Sequence, residues 1–297
     1  MDGYFISSNL RFITDILYYI LPQNATIPRM NIAVQGQAGS FHEQAARAWY
    51  GSSIDIVPCT TFREVFDAYA NGEVDAIVSA VENTIYGSIN EVYQLIEACD
   101  APIVGEVKLA IEQMLIACPG TKLEDITEVY SHPVALAQCR GWLKKHLPRA
   151  EIIEFFDTAG AVEFIKEEGA KHMAAIASTQ AAKLYNMPIL ARNIHDSNDN
   201  ITRFLVLEPA DTPAGANRSS LVVTTSHQPG ALVEVLQIFA SAGVNLAKLQ
   251  SQPIIGQPFH YKFFMVVDCA GEPLYKLARQ IEKSDHQVTL LGEYKAA

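Results

Sequence analysis

The sequence predicts an α/β protein: two lobes of alternating strands and helices, followed by a small βαββαβ module. Three observations carry this. Short apolar runs recur, each ending in a glycine or polar turn and then a helical segment opened by Ser, Thr or Asp. Val74 to Val81 is almost uninterruptedly apolar, as a strand buried in a parallel or mixed sheet must be. Between Glu208 and Asn217 the composition shifts to small polar residues with Pro209, Pro213 and Gly215, the signature of a linker, and the rhythm changes beyond it.

Taken in order, Asn31 to Gln35 is a short strand feeding Gly36-Gln37-Ala38-Gly39-Ser40-Phe41. The glycines allow a tight turn, and Ser40 is placed to cap a helix starting near His42, where free N–H groups suit a carboxylate or phosphate. Ile54 to Pro58 is strand-like, Thr60-Thr61 caps a helix over Phe62 to Ala70, and Asn71-Gly72 stops it. The Val74 to Val81 strand ends in Glu82-Asn83-Thr84, then Tyr86-Gly87-Ser88-Ile89-Asn90 and a helix to Cys99. Polar groups directly after a buried strand sit where α/β folds keep ligands. Val104 to Cys118 reads as extended strands crossing to a second lobe.

There, Val129 to Pro133 is a strand end, with Pro133 in the first turn of a helix to about His146 and Gln138 facing back along it. Glu151 to Phe156, with Asp157 before a helix to Glu168, repeats the unit, and so does Ala174 to Ser178 before Thr179 to Asn186. After the linker, strands over Ser220 to Thr225, Val244 to Ile254, Phe259 to Cys269 and Gln287 to Leu291 alternate with helices over Gly230 to Ala242 and Leu274 to Lys283, a ferredoxin-like order.

Length and composition exclude several classes. With 297 residues and 49 % hydrophobic content, the chain can bury more than one core. A formal charge of −11 argues against nucleic acid as a partner, though a local cleft can still attract a small anion. Cys59, Cys99, Cys118, Cys139 and Cys269 are scattered and form no CxxC pair, which points to free thiols in a reducing, cytoplasmic setting and to no metal site. No run approaches a membrane span, and the apolar Phe12 to Leu21 is too short and too poor in basic residues for a secretory signal. Residues 1–29 are expected to be an extension, disordered or a short helix closed by Pro22 and Pro28.

The stretch with the most chemistry is Asp199-Asn200-Ile201-Thr202-Arg203-Phe204, where a polar run turns into a β-prone one. A hydroxyl beside a permanent cation at a strand end suits an anionic substrate that must lose an oxygen.

Gly36 to Phe41, Glu82-Asn83-Thr84, Ser131-His132-Pro133 with Gln138, and Thr202-Arg203-Phe204, in this order, resemble prephenate dehydratase over residues 31 to 297. The C-terminal module resembles an ACT domain through Gly230-Ala231-Leu232 and Asn245-Leu246. The resemblance implies a two-lobed, periplasmic-binding-protein-like catalytic domain over residues 31–210. Lobe 1 would span about 31–106 and 193–210, lobe 2 about 107–192, the linker 211–217 and the ACT domain 218–297. Too few residues precede Met30 for the chorismate mutase domain fused to some relatives, so a monofunctional enzyme is expected.

The implied reaction removes carboxylate and hydroxide from prephenate to give phenylpyruvate. Thr202 is expected to donate to the departing hydroxyl, and Arg203 to orient a substrate carboxylate or form a structural ion pair. Ser131, Asn83 and Gln138 complete the expected catalytic set, with Ser40, Phe41, Glu82, Thr84 and Phe204 binding substrate. Glu82, a carboxylate near a dianion, is expected either to be protonated or to pair with a cation. His42, His132 and His195 are read as structural, and no cofactor is called for.

Phenylalanine is expected as an allosteric effector at Gly230, Ala231, Leu232, Asn245 and Leu246, in a homodimer or homotetramer. The family's usual Glu-Ser-Arg-Pro reads Gln250-Ser251-Gln252-Pro253, losing both charges. Ala80 replaces the usual proline and is expected to leave its strand end less rigid. Arogenate dehydration and a non-catalytic amino-acid sensor are the competing readings.

Overall fold

A computed structural model of the chain describes residues 29–297. The extension expected over residues 1–29 therefore lies, apart from Arg29, outside the described residues.

The first lobe is built from β1 (Met30–Gln35), α1 (Phe41–Tyr50), β2 (Ile54–Cys59), α2 (Phe62–Ala70), β3 (Ala76–Asn83), β4 (Gly87–Ser88), α3 (Asn90–Ala98) and β5 (Ile103–Ala110). The chain then crosses into β6 (Met114–Ala117), β7 (Glu128–Ser131), α4 (Pro133–Gln138), α5 (Arg140–His146), β8 (Glu151–Glu154), α6 (Thr158–Glu168), β9 (Met173–Ala177), α7 (Thr179–Leu184) and β10 (Ile189–Ala191). It returns as β11 (Ile201–Leu207) to complete the first sheet, ordered β2-β1-β3-β11-β5 with β4 paired to β3. The second sheet is β10-β6-β9-β7-β8. Both are mixed: β1 runs parallel to β2 and β3, whereas β11 is antiparallel to both neighbours.

Element types follow the sequence pattern closely, and the differences have tertiary causes. The helix expected from Pro133 to about His146 is two helices broken at Cys139. Asp196, on the returning crossover, makes the break. Its N–H donates to the Gln138 carbonyl (2.8 Å), and its carboxylate accepts from Gly141 N (2.7 Å) and Trp142 N (3.0 Å), capping α5. Strands β4 and β10, of two and three residues, lie below what a periodicity can register.

The C-terminal module comprises β12 (Arg218–Thr224), α8 (Ala231–Ser241), β13 (Leu246–Pro253), β14 (Tyr261–Val267), α9 (Glu272–Lys283) and β15 (Gln287–Tyr294). Its antiparallel sheet, ordered β13-β14-β12-β15, has the ferredoxin-like βαββαβ connectivity. It is not a loose appendage. Val222, Phe264, Val266 and Tyr294 join Val65, Tyr93 and Leu205 of the first lobe in one apolar core, with the Tyr93 and Phe264 rings 4.5 Å apart. Among the described residues no helix is long and apolar enough to cross a membrane.

At this junction β15 packs against β5 so closely that a Cβ on Gly292 would lie 2.1 Å from the Ile103 carbonyl oxygen, a backbone atom that cannot swing aside. Gly292→Ala is expected to cost about 1–3 kcal/mol, the range for overpacking a close-packed interior, read as a lower urea midpoint with an unchanged slope.

Candidate active site

The interlobe cavity, about 290 Å³ in volume, is lined from the first lobe by Ser40, Phe41, Asn83, Thr202 and Phe204, and from the second by Gln138, His132 and Asp157. Strand geometry explains the selection on β11. Side chains alternate between faces, so Thr202 and Phe204 share the cavity face and Arg203 takes the other.

The turn before α1 shapes the cavity rim. Gly36 (φ +96°) and Gly39 (φ +88°) hold a backbone conformation that residues with a Cβ rarely adopt. Asp157 Oδ2 reaches across to accept from Gln37 N (3.2 Å), and the Ser178 hydroxyl donates to the Gly39 carbonyl (2.9 Å). These two bonds pin the lobes together along one edge. Ser40 Oγ accepts from Glu43 N (3.3 Å), so its own hydrogen is left to donate elsewhere.

Behind Thr202 runs a chain of buried carboxamides whose polarity is fixed from one end. Asn83 Oδ1 accepts the backbone N–H groups of Ile85 and Tyr86, both at 2.9 Å. Its amide nitrogen must therefore point the other way, to Asn200 Oδ1 (2.7 Å) and Thr202 Oγ1 (3.0 Å). Asn200, so oriented, donates to Gln138 Oε1 (2.9 Å) and to the Ile111 carbonyl (3.2 Å), and Gln138 donates back to Asn200 Oδ1 (3.3 Å). Gln113 donates to Gln138 Oε1 (3.2 Å). Because Thr202 Oγ1 accepts from Asn83, the threonine hydrogen is free for a ligand, and an accepted bond makes an O–H a better donor.

Other residues singled out in the sequence lie outside the cavity wall. Ser131 is fully buried, with its hydroxyl donating to the Ile176 carbonyl at 2.6 Å. Thr84 Oγ1 bridges the Asp199 carbonyl and Ile201 N, fixing the loop against the start of β11. Arg203 donates to Glu82 Oε2 (2.7 Å), whose other oxygen pairs with Lys248 Nζ (3.0 Å) from β13. Glu82 is thus the cation-paired carboxylate of the two alternatives. Arg203 also stands 3.7 Å from Glu106, which Arg218 of β12 holds at 2.8 Å. This ionic layer joins the first lobe to the C-terminal module rather than one lobe to the other. Burial pushes the Lys248 ammonium below its ordinary range, and Glu82 opposes that shift.

Sequence reasoning did not single out Asn200 or Gln113. Asn200 is one of several polar residues in its loop, and only its burial marks it (2 % exposed). Gln113 lies in the crossover between strands, where no periodicity points to it.

The three histidines all accept backbone N–H groups: His42 Nε2 from Ala80 (3.2 Å), His132 Nδ1 from Val134 (3.3 Å) and His195 Nδ1 from Gln113 (3.3 Å). The Ala80 bond bears on the replaced proline. A proline there has no N–H to give, whereas Ala80 uses its own to tie the strand end to α1, so the substitution brings an anchor in place of a stiff ring. Among the described residues no group of three His, Cys, Asp or Glu side chains is placed to hold a metal ion.

In the C-terminal module a second cavity of about 430 Å³ is lined by Gly230, Ala231 and Leu232 together with His227, His260 and Phe263. Asn245 and Leu246 do not share it. Asn245 donates to Asp268 (2.8 Å), and Leu246 packs on the module's core.

The family model described as prephenate dehydratase matches residues 32–212. The chain is 37% identical over 274 residues to a bifunctional chorismate mutase/prephenate dehydratase of Aquifex aeolicus, covering 91% of this chain and 74% of that protein. It is equally similar, 37% over 280 residues with 90% and 73% covered, to the chloroplastic arogenate dehydratase/prephenate dehydratase 2 of Arabidopsis thaliana. Among solved structures, the prephenate dehydratase of Arthrobacter aurescens in complex with L-Phe superposes with a TM-score of 0.80 at 30% identity, covering 89% of each chain.

Burial lowers the His42 imidazole to about 3, with a smaller contribution from His132. Its folded pKa lies below the unfolded 6.5, so the unfolded chain binds the extra proton between those values, and the stability His42 contributes falls as pH drops below about 6.5. A His42→Gln variant is expected to flatten that decline, by at most about 1.4 kcal/mol per pH unit, measured by urea titration at stepped pH.

Proposed function

Because the chain belongs to the prephenate dehydratase family, we propose that its interlobe cavity converts prephenate to phenylpyruvate, carbon dioxide and water, as a carbon–oxygen lyase. The bond from the ring to its carboxylate breaks and releases carbon dioxide. That electron pair moves through the ring diene, and the ring carbon–oxygen bond breaks as the ring becomes aromatic. The departing hydroxide takes up one proton and leaves as water, so no oxidant or reductant is required.

The observation that carries this reading is the polarity of the Thr202 hydroxyl. With its oxygen accepting from Asn83 and its hydrogen unspent, it supplies a hydrogen bond where negative charge develops on the leaving oxygen. Threonine is a weak acid, so its contribution is positioning and stabilisation of charge more than outright proton transfer. Phe41 and Phe204 give the ring an apolar wall, and Ser40, Gln138 and the first turn of α1 offer neutral donors to the carboxylates. Ser131, Thr84, Glu82 and Arg203 act indirectly, by holding the segments that carry these groups.

Phenylalanine is the proposed effector, bound in the module cavity at Gly230 to Leu232, with the module acting as an ACT domain. Strand β13, at an open sheet edge with Leu249 exposed, supports pairing of modules in a homodimer or homotetramer. Five free cysteines favour a reducing, cytoplasmic setting.

Phenylpyruvate formation from prephenate and phenylalanine formation from arogenate by the purified protein, with the prephenate assay repeated in added phenylalanine, test the assignment. Thr202→Ala is expected to lower kcat by about 10²-fold or more, the scale for losing one donor to developing charge, with little change in substrate affinity. Arg203→Leu is expected to act chiefly on melting temperature. A fully active Thr202→Ala would discard the threonine's role, and a wild type that binds phenylalanine but turns over neither substrate would replace the enzyme with a sensor.

A further inference from the structure

Gln113 is the end of the carboxamide chain, and its orientation is inherited rather than chosen. Asn83 is fixed by two backbone donors, Asn200 by Asn83, Gln138 by Asn200, and Gln113 by Gln138, whose Oε1 takes the Gln113 amide hydrogen. The Gln113 oxygen is thereby turned away from the chain. It is buried, on a residue only 2 % exposed that lines the cavity, and no group of the protein donates to it. A buried carbonyl oxygen without a donor is costly, by an amount comparable to a lost hydrogen bond, unless a ligand supplies one.

Resting on the dehydratase reading of this cavity, we infer that Gln113 is a further substrate-binding residue whose Oε1 accepts a hydrogen bond from the ring hydroxyl of prephenate. The chemistry of the substrate makes the match. At neutral pH its two carboxylates and its keto group only accept hydrogen bonds, and the hydroxyl is its one donor. An acceptor oxygen repels the former and selects the latter. The hydroxyl is then held from two sides, its hydrogen on Gln113 and its oxygen facing the Thr202 hydrogen. Accepting that hydrogen raises electron density on the leaving oxygen and turns a lone pair toward Thr202, which is the orientation that departure as water requires. Gln113 thus fixes the rotation of a bond that Thr202 alone leaves free.

The test compares a ligand that has the hydroxyl with one that lacks it. In Gln113→Met, kcat/KM for prephenate is expected to fall about tenfold or more, while inhibition by phenylpyruvate, which has no hydroxyl, shifts by less than about twofold. Gln113→Asn, which withdraws the oxygen by one carbon without an apolar replacement, is the second variant and is expected to show the same split at smaller scale. Parallel losses for both ligands would make Gln113 a packing residue and overturn the inference, as would no loss for either. Weakened turnover of arogenate with prephenate unaffected would also overturn it, by assigning the oxygen to an ammonium. A wild type that forms no phenylpyruvate from prephenate removes the dehydratase reading and this inference together; an active wild type with an unsplit variant removes the inference alone.

Discussion

Much of this structure depends on β11 being hydrogen-bonded along both edges. Paired to β3 on one side and β5 on the other, it has no freedom to slip, because a shift by one residue would exchange its two faces. That lock places Thr202 and Phe204 toward the interlobe cavity and Arg203 toward the C-terminal module. One strand thus lines the cavity with one face and carries the attachment of the module with the other. A register irregularity in the β3 pairing between Arg203 and Phe204 falls between these duties.

The same economy governs the two crossovers between lobes. Ile111 N donates to the Asn200 carbonyl (2.8 Å) and the Asn200 amide returns a bond to the Ile111 carbonyl, so the outgoing and returning segments are stitched where they pass. Asn200 uses its remaining capacity on Asn83 from the first lobe and Gln138 from the second. A residue on the returning crossover therefore carries orientation from one lobe to the other. Since every amide after Asn83 is oriented by the one before it, a change at one member alters what the following members present to the cavity.

The architecture was largely legible in the sequence, because strand and helix periods, Ser40, Asp157 and Pro133, and the proline-rich linker are local signals that tertiary contacts here reinforce. The composition of the cavity was half legible. Ser40, Phe41, Asn83, Gln138, Thr202 and Phe204 line it, and all but the mid-strand Phe204 stand at or beside an element boundary where a strand or helix end is aimed inward. Of the two roles expected for Arg203, the structure shows an ion pair, made beside the C-terminal module: a cation beside a reactive hydroxyl suggests a shared task, whereas adjacent positions on a strand cannot share a face. Ser131 belongs with Arg203, its hydroxyl consumed inside the second lobe. Asn200 and Gln113 left no local trace, since their meaning arises only when two crossovers separated by about ninety residues are brought side by side.

The displacement of Arg203 from the cavity has a chemical consequence. Among the described residues no Lys or Arg lines a cavity assigned to a dianion. For binding alone this is a weak arrangement. For the proposed reaction it is a favourable one at the ring carboxylate, which loses its charge as it becomes carbon dioxide. A cation paired with it would stabilise the bound substrate more than the transition state and so raise the barrier. Neutral donors impose much less of that penalty. The positive charges instead sit one sheet face away, where Arg203, Lys248 and Arg218 neutralise Glu82 and Glu106 and bind the module. Strand alternation thus puts the fixed positive charge on the module face of β11 and leaves neutral side chains on its cavity face.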